Sequence, residues 1–133
     1  MCTYISFHGK KDQRPPKSSK RERMRMKKYA MLVDVYYCTG CHSCEVACQQ
    51  ENGLDADQFG IKVTEQVLKQ RDRLMIDYVP YVTDLCTGCM GRVADGRRPS
   101  CCKHCLAQCL SFGPVEEIME QAKSAGKPMV FLK

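Results

Sequence analysis

The chain has 133 residues and a formal net charge of +6, lacks tryptophan and contains 11 cysteines. A chain of this length forms one small domain whose apolar core alone is marginal, so disulfides, zinc or iron–sulfur clusters are expected to complete it. No apolar stretch approaches the roughly 18–20 residues of a membrane span. The basic N-terminus does not resemble a signal peptide, which predicts a reducing, cytoplasmic location where cysteines bind metal.

The first 28 residues are predicted to form a disordered basic tail, and residues 29–133 to form the domain. Residues 1–30 hold most of the basic excess, with ten Lys and Arg against two acidic side chains. Solvated disorder, or sequence upstream of a true start near Met26, is favoured over binding of this run to nucleic acid or an anionic membrane surface. Cys2 lies in the tail and is not expected to be a ligand.

A strand and a helix are predicted around the first cysteines. Residues 30–37 are rich in β-formers and predict a strand that leads into a cysteine loop. Residues 44–51 have helical composition, and the Asn-Gly pair ending at Gly53 is typical of a helix C-terminus. Cys44 and Cys48 are then four residues apart on one face of a helix.

The rest of the chain predicts a hairpin, a helix and a last strand. Alternating apolar residues at 61–67 and 74–82 predict two hairpin strands, and Pro80 places the second at an edge. Gly113-Pro114 is typical of a helix start, and residues 129–132 predict a short strand. The helix is expected to turn an apolar face to the core, formed by Val115, Ile118, Met119 and Ala122.

Four cysteines follow the spacing Cys38-x2-Cys41-x2-Cys44-x3-Cys48. The first three can bind one [4Fe–4S] cube from a tight loop, whereas a fourth cysteine one helical turn later typically ligates a second cluster. The run therefore predicts a second set elsewhere in the chain. That set is present as Cys86, Cys89, Cys101 and Cys105.

Zinc is the alternative, because Cys-x2-Cys pairs build many structural zinc sites. The chain would then be a zinc-stapled interaction module for protein or, through its tail, nucleic acid. Iron–sulfur is favoured because zinc usually takes its ligands in pairs, whereas a cube takes three closely spaced thiolates and a distant fourth. No nucleophile–base pair, phosphate-binding loop or dinucleotide fingerprint is present, so the chain is not predicted to be an enzyme by itself.

Residues 86–113 follow the pattern Cys-x2-Cys, Arg-x3-Gly-x2-Pro, Cys-x3-Cys and Phe-Gly, with its arginine at Arg92. The first cysteine run is preceded by a matching lead-in at residues 29–34 and followed by Glu51-Asn52. With these features, most of residues 29–114 resembles the iron–sulfur subunits of the dimethyl sulfoxide reductase type. Arg92 is expected to close its loop against a carbonyl group.

The resemblance implies a small α+β domain of the two-[4Fe–4S] ferredoxin-like type, with pseudo-two-fold cysteine loops and short antiparallel strands. In that family the outer motifs exchange their last cysteines. Cluster A is then expected to take Cys38, Cys41, Cys44 and Cys105, and cluster B to take Cys86, Cys89, Cys101 and Cys48. Cys102 and Cys109 are the less favoured ligands and are otherwise expected to be buried.

Family members usually carry four clusters, but no cysteine lies between Cys48 and Cys86, so two clusters are expected. Leu106 also stands where proline is typical. The resemblance implies electron relay to or from a molybdopterin- or tungstopterin-containing catalytic subunit, with a membrane anchor or quinone-linked subunit as a further partner. A free-standing dicluster ferredoxin is the alternative. As the alternative to a cytoplasmic location, the chain would be exported as part of a folded complex, directed by a signal sequence on its partner.

Overall fold

A computed structural model describes residues 28–133, so the predicted tail up to residue 27 lies outside the described residues, and Cys2 with it. Short helices and antiparallel strands give the described part an α+β organisation, as expected. No helix within it is long and apolar enough to cross a membrane. The elements in chain order are β1 (Tyr29–Asp34), a 3-10 turn (Val35–Tyr37), α1 (Ser43–Asn52), β2 (Ile61–Gln70), β3 (Arg73–Val82), α2 (Met90–Ala94), α3 (Ser100–His104), β4 (Leu110–Pro114), α4 (Val115–Ala122) and β5 (Pro128–Leu132).

Strand β1 is the centre of a three-stranded antiparallel sheet in the order β4-β1-β5. Met31 in β1 pairs with Phe112 on one side and Phe131 on the other. β1 is buried along nearly its whole length, because strands flank it on both sides and side chains pack on both faces. The strand therefore delivers the chain to the first cysteine loop from a fixed position.

The end of β1 differs from the prediction of a strand reaching residue 37. The strand stops at Asp34, whose carboxylate accepts backbone N–H groups from Tyr36 at 3.2 Å and from Gly126 and Lys127 at 3.0 Å each. Burial acts to raise the pKa of Asp34, but these three donors outweigh it and hold the pKa below its usual value. The carboxylate thus bends the chain into the 3-10 turn that precedes Cys38.

The helix predicted to open at Gly113-Pro114 is confirmed, although it begins one residue later than expected, and the strand before it was not predicted. Residues 110–114 form β4, and α4 begins at Val115 with Pro114 before it. Proline is tolerated there because it ends an edge strand, where a missing N–H costs least. The predicted last strand is confirmed as β5.

The hairpin of β2 and β3 is confirmed and forms a separate two-stranded sheet, so Pro80 does lie on an edge strand. Val63 pairs with Pro80 near the base of the hairpin, where both side chains are buried. Leu74, near the tip, is 62% exposed. Among the described residues, the base and the middle of β3 therefore contact the rest of the fold, through Tyr78 beside Gly40 and Asp77 beside Lys127, while the tip is exposed.

The larger core cluster mixes apolar side chains with thiols. Met31, Val33 and Leu110 supply the sheet side of this cluster, and Ile61 supplies the hairpin side. Its buried cysteines are Cys44, Cys48, Cys101, Cys102 and Cys109.

A second, smaller core cluster joins Ala30 and Leu32 of β1 to Ile118 of α4. Met119, predicted to share that face, is 50% exposed. The helix is only eight residues long, and the sheet covers a narrower stripe of it than the sequence pattern suggested.

We expect Ile118→Ala to lower the free energy of unfolding by about 2–4 kcal/mol, because it leaves a cavity under α4. Met119→Ala on the same helix should change it by no more than about 0.5 kcal/mol, since half of that side chain already meets water. Urea unfolding of the two variants measures the difference. Equal losses would contradict the packing of α4 described above.

Candidate metal centre

The sequence Cys-Thr-Gly-Cys occurs twice, at residues 38–41 and 86–89, and folds into the same kind of turn each time. Gly40 and Gly88 both have left-handed backbone angles, with φ of +68° and +65°. A β-carbon on Gly40 would also lie 2.4 Å from the ring of Tyr78. Glycine is therefore required in this turn for both backbone conformation and space.

A first group of thiols gathers where this loop meets the end of α3. We call Cys38, Cys41, Cys44 and Cys105 thiol set 1. The negative charge of Cys105 acts on each of the three loop cysteines, so the residue that follows α3 faces the first loop. All four thiols line one small cavity, together with Cys109.

A second group, thiol set 2, consists of Cys48, Cys86, Cys89 and Cys101. Burial raises the pKa of Cys48 to about 11, and the neighbouring charges of Cys101, Cys89 and Cys86 act in the same direction. Burial also raises the pKa of Cys86, where Cys101 and Cys89 add to the effect. Cys48 and Cys86 therefore each lie near the other three thiols of this set.

The two sets share their supporting segments. Helix α1 carries Cys44 of set 1 and Cys48 of set 2, both buried. Helix α3 carries Cys101 of set 2, and Cys105 of set 1 follows its last residue. The grouping follows the exchanged sets that the family resemblance implies, while ligation by these residues stays a prediction.

Thiols are the donors that iron–sulfur clusters take, so the chemistry of both sets fits such a group. Burial raises the pKa of Cys44 to about 12, with the charges of Cys101 and Cys105 adding to it. Positive iron ions would offset this repulsion among thiolates. Within residues 28–133, no three His, Cys, Asp or Glu side chains are grouped as ligands of a single metal ion.

Gly60 closes one side of set 2. A β-carbon at this position would lie 2.7 Å from the sulfur of Cys48 and 3.4 Å from Cα of Cys86. No sequence signal marks this glycine, because its role depends on contacts with residues 12 and 26 positions away.

Polar hydrogens also point at the sulfurs. The Asn52 side-chain amide donates to the Cys48 carbonyl at 2.9 Å and to the Cys48 sulfur at 3.5 Å, and reaches the Cys89 sulfur at 4.0 Å. The Gly88 N–H donates to the Cys86 sulfur at 3.4 Å. The sequence marks Asn52 as part of a helix end and of the family resemblance, but it gives no signal for the contact of this side chain with sulfur.

Glu45 ties the first cysteine loop to the hairpin. Its carboxylate accepts the backbone N–H of Val63 at 2.6 Å and lies 3.2 Å from Nδ1 of His42. Glu45 is 8% exposed, although its helix position gave no sign of burial. The side chain of His42 is half-exposed, and His104 is exposed.

Arg92 closes its loop, as expected. Its Nε donates to the carbonyl of Arg98 at 3.0 Å, and its Nη1 donates to the carboxylate of Glu51 at 2.7 Å. The guanidinium therefore fixes the 92–98 loop to the end of α1, whose cysteines belong to both sets.

The two remaining described cysteines are buried, as expected. Cys102 donates a hydrogen bond to Cys101, which lowers the pKa of Cys101 despite its burial. The sulfur of Cys109 lies 3.6 Å from that of Cys105. Donation between them lowers the pKa of Cys105 and raises that of Cys109.

No protein-family model matches the chain. It is similar to an anaerobic dimethyl sulfoxide reductase chain of Escherichia coli, at 29% identity over 68% of this chain and 34% of that protein. It is also similar to a putative dimethyl sulfoxide reductase iron-sulfur subunit of Halobacterium salinarum, at 32% identity over 68% of this chain and 32% of that protein. These relatives confirm the family resemblance, although the chain spans only about a third of their length.

We expect Glu45→Ala to destabilise the protein by about 1–3 kcal/mol, because it leaves the buried N–H of Val63 without an acceptor. Glu45→Gln keeps an oxygen acceptor at that position and should lose clearly less stability than Glu45→Ala. Thermal unfolding of both variants measures the effect. If Glu45→Gln were as harmful as Glu45→Ala, the contact with His42 would matter more than the one with Val63.

Proposed function

We propose that this relative of the iron–sulfur subunits of dimethyl sulfoxide reductases is an electron-transfer protein with two [4Fe–4S] clusters. Thiol set 1 binds cluster A and thiol set 2 binds cluster B. The observation that carries the proposal is the sharing of α1 and of the α3 segment, each of which gives one cysteine to either set. Two independent sites for single metal ions would not require one helix to supply ligands to both.

When bound, each cluster supplies a carrier for one electron at a time. The chain holds the two carriers close together, because Cys44 and Cys48 are one helical turn apart, about 6 Å along the axis. The charge of Cys101 in set 2 also acts on Cys44 in set 1. A short distance between the sets favours electron exchange between them.

The protein also sets the reduction potentials of the two clusters. Hydrogen bonds to ligating sulfurs stabilise the more negative, reduced form of a cluster and therefore raise the reduction potential of that cluster. Asn52 and the N–H of Gly88 supply such bonds on set 2. Set 1 receives donors too, among them the backbone N–H groups of Gly40 on Cys38 and Ser43 on Cys41, so the reduction potential of each cluster depends on the donors of its own set.

Electrons enter or leave through set 1 in this proposal. Among the described cysteines only Cys41 is exposed, whereas in set 2 Cys48 and Cys101 are buried and Cys86 and Cys89 are half-buried. A partner that approaches Cys41 therefore comes closer to a ligating sulfur than a partner that approaches set 2.

The relatives are named as parts of dimethyl sulfoxide reductases. We therefore propose a molybdopterin- or tungstopterin-containing catalytic subunit as the partner, with this chain as its electron carrier and not itself catalytic. Anaerobic purification of the tagged full chain from its native cells tests this. Molybdenum or tungsten should co-purify at about one atom per chain, whereas a brown protein alone would favour the free-standing ferredoxin.

We expect Gly60→Ala to disturb cluster B, because the new methyl group collides with the Cys48 sulfur. Iron should fall from about eight to about four atoms per chain, with cluster A retained. Gly91→Ala is the matched control, because a β-carbon there has nothing within 4 Å. Iron and sulfide analysis of both proteins measures the effect. Full iron in Gly60→Ala would contradict the position of cluster B.

A further inference from the structure

Five thiols, one more than a cube can bind, surround the site proposed for cluster A. Cys109 lines the same cavity as the four members of thiol set 1 and is buried. A [4Fe–4S] cube takes four protein thiolates, one for each iron. One of the five sulfurs is therefore in excess, and its position decides what it can do.

The surplus sulfur lies beside one particular ligand. The Cys109 sulfur is 3.6 Å from the Cys105 sulfur and also forms a hydrogen bond with Cys38. Two thiolates that bind one tetrahedral metal with bonds of about 2.3 Å sit roughly 3.8 Å apart. Cys105 and Cys109 thus have the spacing of two sulfurs within reach of the same iron.

The backbone ties Cys109 to the sheet, whereas among the described residues the Cys105 carbonyl is bonded only within its own turn, by the N–H of Gln108 at 3.2 Å. The Cys109 carbonyl accepts the N–H of Asp34 at 2.9 Å, which anchors it to the end of β1, and β4 begins at the next residue. Cys105 follows the last residue of the short helix α3, and a turn with Gln108 at φ +51° connects the two cysteines. Cys109 is therefore presented to the cavity by the sheet itself.

We propose that Cys109 is a second ligand for the corner of cluster A that Cys105 occupies, so that either sulfur can complete the site. This inference rests on the proposed function. In the exchange, the bond from iron to the Cys105 sulfur breaks and a bond to the Cys109 sulfur forms. The proton of the Cys109 thiol passes to the Cys105 sulfur, and no electron is transferred.

Four variants of the full chain, purified without oxygen, test the proposal: Cys105→Ala, Cys109→Ala, Cys105→Ala/Cys109→Ala and Cys105→Ala/Cys102→Ala. Both single variants should keep about eight iron atoms, with the potential of cluster A shifted in Cys105→Ala. The double variant without Cys109 should lose iron from cluster A and show a [3Fe–4S] signal in the oxidised EPR spectrum. The signal of cluster B reports that this protein is still folded.

Cys102→Ala supplies the control, because Cys102 is also buried but does not line the cavity. The double variant without Cys102 should keep cluster A. Loss of cluster A in Cys105→Ala alone, from a parent protein that holds eight iron atoms, would overturn the proposal. Loss in the Cys102 double variant but not in the Cys109 double variant would also overturn it. A parent protein without iron would instead refute the proposed function.

Discussion

Helices α1 and α3 pack against each other, and their segments each carry one cysteine of either thiol set. Neither set can form unless these segments meet, so the other elements can be understood as supports for this contact. Glu45 fixes the start of α1 to the hairpin, and Arg92 fixes its end to the loop before α3. The sheet also positions this unit, since β1 leads into the first cysteine loop and β4 follows the segment that holds Cys105 and Cys109.

This arrangement has an electrostatic cost that the chain alone does not offset. Burial and mutual repulsion raise the pKa values of Cys44 and Cys48 to about 12 and 11, so gathering their thiolates is unfavourable without a positive partner. The same cysteines occupy core positions that a small domain would otherwise fill with large apolar side chains. Binding of iron would therefore supply stability as well as redox chemistry.

Features encoded locally were predictable from sequence. The end of α1 at Gly53 follows from an Asn-Gly pair, and the hairpin follows from alternating residues. Strand β4 was missed because its pairing with β1 joins residues about 80 positions apart, while Gly113-Pro114 carries the local signal of a helix start. The contact of Gly60 with Cys48 was invisible for the same reason. The grouping of Cys105 with the first loop came from family resemblance, because spacing alone allowed more than one register.

The central claim is that both thiol sets hold [4Fe–4S] clusters close enough to interact. Anaerobic purification followed by iron and acid-labile sulfide analysis, with EPR of the dithionite-reduced protein, tests it most directly. The account predicts a brown protein with about eight iron and eight sulfide per chain and a signal split by interaction between two reduced clusters. A colourless protein with about two zinc ions per chain would contradict it.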